Sequence, residues 1–184
     1  VTDKYEFKVS KNSGFKDFVS IALEEALTAL EESIRDLGDE QVKAFPVEGR
    51  NNIAWIAMHS LAGMDIICGQ GQGSEPAYSW EPRWDLWQAP PEQKPKPGDE
   101  FPSREELMQR INAVRKAVAG RLAETDETEL LSNRAPKEWN HEGNSADLYA
   151  RSIYHTMAHV RQIWLLRGAM GLAANSHWPT VHWM

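Results

Sequence analysis

The run Asn51-Asn52-Ile53-Ala54-Trp55-Ile56-Ala57-Met58-His59-Ser60-Leu61-Ala62-Gly63-Met64-Asp65-Ile66-Ile67-Cys68 is apolar nearly all the way round a helix. A helix lying on a protein surface keeps a polar face, whereas one without such a face is enclosed by other elements. This stretch therefore predicts the central, most buried helix of the fold. Asn51 or Asn52 can cap its start, and Gly69, Gly71 and Gly73 end it.

The rest of the chain supplies partners for it. From about Phe15 to Leu37, the residues Leu23, Leu27, Leu30, Ile34 and Leu37 repeat at helical spacing, and Gly38 is a natural stop. A third helix starts at the capping box Ser103-Arg104-Glu105-Glu106, with a stripe of Leu107, Ile111, Val114, Val118 and Leu122. A fourth starts near Asn144 and Ser145 and runs to about Gly168 or Gly171. Four long helices without a strand pattern predict an all-α fold, a four-helix bundle. The long connection at about 69–102 between the second and third helices predicts a crossover loop. It holds Trp80, Trp84 and Trp87 and most of the prolines, and long loops of this kind are usually functional. The shorter linker after helix three carries His141, and the tail from about 173 to 184 carries His177 and His182.

The 184 residues suit one domain spanning 1–184. A formal net charge of -7 without a basic cluster argues against a nucleic-acid partner. No apolar run approaches the roughly 20 residues of a membrane helix, and the start shows no signal-peptide core. Cys68 is the single cysteine, so no intrachain disulfide forms and a cytoplasmic location is expected. Placed on an apolar helix without a basic neighbour, Cys68 reads as a small buried hydrophobe.

The fourth helix contains Tyr154-His155-Thr156-Met157-Ala158-His159-Val160-Arg161-Gln162. Residues four apart share a helix face, so His155 and His159 can bind one ion, and Gln162 shares that face. The spacing alone is weak evidence, since six histidines in a chain of this length give such a pair about one time in five. His59 on the most apolar helix adds a third nitrogen. Buried imidazoles are costly unless paired or ligated. Three histidines with a remaining open position form a common zinc site.

The segment 52–61 and the spacing His155-x-x-x-His159-x-x-Gln162, followed by Leu166, Arg167 and Gly171, resemble the two histidine motifs of the DinB-like superfamily. The chain has Arg161 where that family usually has glycine, and Ala158 where many members have a further histidine. The resemblance implies a four-helix bundle in which His59, His155 and His159 bind a divalent metal. Zinc is the first expectation, with nickel or another first-row metal as alternatives. It further implies a small-molecule substrate and a low-molecular-weight thiol, with thiol transfer to an electrophile as the expected activity. Gln162, Trp55, Asn52 and Trp84 are the expected supporting or pocket residues, and Trp80, Trp84 and Trp87 are expected at the pocket mouth. The competing readings are a non-catalytic metal- or ligand-binding protein, closed by His177 or His182, and a domain with three unrelated histidines. Spare apolar helix faces allow a homodimer.

Other chemistries lack their motifs. The predicted helices carry no Glu-x-x-His pair for a di-iron centre, and His-Glu-x-x-His and glycine-rich nucleotide loops are absent. Asp65 and Asp147 are assigned surface and cap roles.

Overall fold

A computed structural model of the chain describes residues 14–70, 76, 94–131 and 144–172. Among these residues there are six helices and no strand: α1 Phe15–Ile34, α2 Asp39–Lys43, α3 Ile53–Gln70, α4 Arg104–Glu124, α5 Glu127–Leu130 and α6 Ser145–Ala169. The four long ones are those expected. The two short ones, of five and four residues, escape a periodicity reading because neither completes two turns. Helix α1 stops at Ile34, one turn before the expected end, although Leu37 is still buried.

The helix starts follow local chemistry. Ser103 accepts from the Glu106 backbone N–H at 3.2 Å, while the Glu106 carboxylate accepts from the Ser103 N–H at 2.7 Å. Asn144 and Asp147 form the same reciprocal cap at α6, which gives Asp147 the expected cap role. Asn52 caps α3, its Oδ1 accepting from the Trp55 N–H at 2.8 Å, and its amide donates to the Lys43 carbonyl at 3.1 Å. That second bond ties the end of α2 to the start of α3.

Helix α6 packs against α1 and α3, and α4 packs against the same two. The pairs α1/α3 and α4/α6 thus lie across the bundle from each other. Arg167, near the end of α6, holds Asp36, just beyond α1, through two bonds of 2.7 and 2.8 Å, so α1 and α6 run parallel. Lys16 meets the Ala123 carbonyl and Arg104 meets the Arg35 carbonyl, so α1 and α4 run antiparallel. Arg121 and Asp65 join the C-terminal halves of α4 and α3, which makes these two neighbours parallel. The crossover loop expected at about 69–102 falls largely outside the described residues.

The core forms where the four apolar stripes meet. Leu107, Ile111, Val114, Val118 and Leu122 of α4 are all buried, as are Leu23, Leu27, Leu30 and Ile34 of α1. Every residue from Asn52 to Ala62 is buried, which makes α3 the enclosed helix. Each aliphatic side chain so buried contributes roughly 1.5–3 kcal/mol. Cys68 is buried too, and burial pushes its thiol up to about 12, so it is not a nucleophile.

Asp65 corrects the sequence reading. It is not a surface residue: it is fully buried and pairs with Arg121 at 2.8 Å, with its own carbonyl accepting a second Arg121 bond at 3.1 Å. The pairing is hidden in the sequence, because Arg121 lies 56 residues away. Removing one member of a buried ion pair leaves the other charge poorly compensated. Asp65→Ala is therefore expected to lower stability by on the order of 3 kcal/mol, read as a reduced urea midpoint at pH 7.

Candidate metal centre

Two adjacent helices build the centre. His59 projects from α3, and His155 and His159 project from successive turns of α6. His59 is buried and the other two are half-buried, so the cluster lies in the α3–α6 seam with one side toward solvent. The Nε2 atom of His155 is 3.2 Å from Nε2 of His59 and 3.0 Å from Nε2 of His159. One ligand nitrogen from each ring falls within 4.8 Å of the others.

This geometry cannot be satisfied by hydrogen bonds among the rings. A neutral imidazole nitrogen has one in-plane position, filled by a proton or by a lone pair. His155 Nε2 therefore serves one of its two neighbours and is left facing the other. A cation between the nitrogens accepts every lone pair. Ligands at 2.0–2.1 Å in a tetrahedral arrangement are about 3.3–3.4 Å apart, close to the observed separations. The donor set thus fits a divalent ion, and three protein ligands leave a position for solvent or substrate.

Protonation supports the same reading. Burial, reinforced by the neighbouring imidazoles, pulls His155 down to about 3. Burial also pulls His159 down to about 4, with His59 adding to the effect and the Gln162 hydrogen bond opposing it. Both rings are therefore neutral at pH 7, the state that ligation requires.

Each ring is oriented by a neighbour. Trp55, one turn before His59, stacks on it with centroids 4.9 Å apart and planes within 7°. Gln162 Oε1 accepts from His159 Nδ1 at 2.9 Å, which directs Nε2 toward the cluster. His155 sets its Cε1–Nδ1 edge against α3 at Gly63. Asn52 acts at a distance, as the cap of α3, since its hydrogen bonds do not reach the imidazoles. Arg161 is exposed, away from the helix interface. Trp80, Trp84, Trp87, His141, His177 and His182 lie outside the described residues.

Arg167 is a buried residue whose partners the sequence does not reveal. It lies against the Trp164 ring at 4.7 Å and holds Asp36 and the Ser33 carbonyl. It anchors the end of α6 that follows the histidines, and it is placed well beyond their turn.

A helical bundle with three convergent imidazoles on two neighbouring helices defines a class of protein with a candidate metal site at a bundle seam. The chain belongs to the DinB superfamily, whose model matches residues 22–163. The crystal structure of a conserved protein from Enterococcus faecalis is similar to it, with a TM-score of 0.69 at 16% identity. The match covers 86% of this chain and 99% of that one, and it supports the shared fold. Comparison with curated proteins gives no match. Among the described residues, no helix is long and apolar enough to cross a membrane.

The depressed histidines set a pH dependence for the metal-free protein. Unfolded histidines titrate near 6.5, above the folded values of about 3 and about 4. As the pH falls below about 6.5, the unfolded chain takes up protons that the folded chain resists, so stability declines. The urea midpoint of the metal-free protein is expected to be lower at pH 5 than at pH 7. The difference is expected to shrink in His155→Ala.

Proposed function

We propose that His59, His155 and His159 hold one divalent ion, and that the centre serves a metal-dependent enzyme of the thiol-transferase type acting on a small electrophile. The observation that carries the metal reading is the convergence of three Nε2 atoms, with contacts of 3.0 and 3.2 Å that the rings cannot satisfy among themselves. Three imidazole donors suit zinc first, with nickel and other first-row metals also accepted by such a set. When bound, the ion supplies Lewis acidity that lowers the pKa of a thiol or water in its remaining position.

The protein's own residues do the positioning. His59 and His155 fix two directions from facing helices, and His159 fixes a third, held by Gln162. The half-buried setting keeps one side of the cluster approachable while limiting bulk water behind it. The buried Cys68 is not a rival nucleophile, so the transferred thiol comes from a separate small molecule.

The metal reading is tested by elemental analysis of the purified wild type beside His155→Ala. About one equivalent of metal is expected in the wild type, with a large loss in the variant. Equal content in the two contradicts the ligand assignment. Gln162→Leu removes the acceptor for His159 Nδ1 and is expected to weaken zinc binding about 10–100-fold, measured by chelator competition. The enzymatic reading is tested with low-molecular-weight thiols and a panel of small electrophiles. Conjugation that disappears on chelation and returns with zinc supports it. A metal-loaded protein without metal-dependent conjugation supports a binding role instead.

A further inference from the structure

We infer that Gly63 is a positioning residue of the metal centre: the absence of a side chain there lets His155 bring Nε2 to the cluster. The inference rests on the metal-site reading above.

Gly63 lies inside α3, four residues past His59. The backbone does not call for glycine at this position, because Gly63 is not among the glycines with positive φ. Glycine in a helix interior is destabilising relative to alanine, so a steric reason is needed. That reason is the imidazole of His155. A Cβ on Gly63 would lie 2.8 Å from Cε1 and 3.0 Å from Nδ1 of that ring. The three atoms nearest to such a Cβ all belong to His155.

The ring has little freedom to give way. Its Cε1–Nδ1 edge rests on Gly63 while its Nε2 meets the other two histidines. A methyl group on one side therefore displaces Nε2 on the other. Among the described residues, the buried His155 Nδ1 has no hydrogen-bond partner. Contact with α3 thus does for His155 what the Gln162 hydrogen bond does for His159 and the Trp55 stack does for His59. Trp55, His59 and Gly63 follow one another at four-residue intervals along one face of α3. The same face presents one ligand, backs it, and seats a second ligand from the neighbouring helix.

The test is a double-variant cycle of Gly63→Ala and His155→Ala, read both by zinc affinity in chelator competition and by thermal unfolding of the metal-free protein. Gly63→Ala alone is expected to weaken zinc binding at least tenfold. With His155→Ala already present, it is expected to change zinc binding less than twofold and to raise the unfolding temperature. Zinc binding by Gly63→Ala at wild-type strength overturns the inference. So does an equal loss in both backgrounds, which would place the effect elsewhere than His155. If Gly63→Ala does not fold, recovery in the double variant supports the inference and failure there overturns it. A wild type that takes up no zinc removes the metal reading. The metal-free arm still reports on the seat: destabilisation by Gly63→Ala that reverses when His155 is absent supports the steric assignment, and its absence overturns it.

Discussion

Three imidazoles are held with their Nε2 atoms facing one another in the seam between α3 and α6. His155 Nε2 has two nitrogen neighbours, at 3.0 and 3.2 Å, and one proton or lone pair to offer them. Desolvated nitrogen atoms in that position are costly unless something else completes their bonding. Burial also blocks the simplest escape, protonation, by pulling His155 and His159 far below their ordinary value. A divalent cation would meet both constraints together, because three ring lone pairs that face one point can ligate it.

The surrounding fold keeps the rings in this arrangement. Helices α3 and α6 are neighbours in the bundle, so one donor from the first and two from the second converge. The cap at Asn52 fixes where α3 begins, and with it the phase of Trp55, His59 and Gly63 around that helix. Arg167 fastens the far end of α6 to α1 through Asp36, and Arg121 fastens α4 to α3 through Asp65. These ion pairs, each with one buried member (Arg167 and Asp65), join segments that are distant in sequence. They oppose sliding of one helix past another, a motion that would separate His59 from the α6 pair.

Much of this was legible in the sequence. The apolar girth of 53–62 marked the enclosed helix, and the stripe from Leu107 to Leu122 marked a surface-facing one; both are as the periodicity predicts. The three clustered histidines were legible because helical spacing is a local property for His155 and His159, and because a histidine amid the apolar residues around His59 needs a partner. Gln162 followed from its register. What stayed hidden depends on contacts between distant segments. The burial of Asp65 is explained only when Arg121 is brought beside it. Gly63 looks like an incidental helical glycine until the His155 ring is laid against it. The stretches α2 and α5 are too short for periodicity to show.

The central claim is that the three Nε2 atoms bind one ion. X-ray absorption at the zinc edge of the reconstituted full chain tests it most directly. A single equivalent of zinc with three imidazole nitrogens at roughly 2.0–2.1 Å and a lighter-atom ligand completing the shell is the predicted result. A shell of water oxygens alone, or one containing a sulfur at roughly 2.3 Å from Cys68, would contradict it.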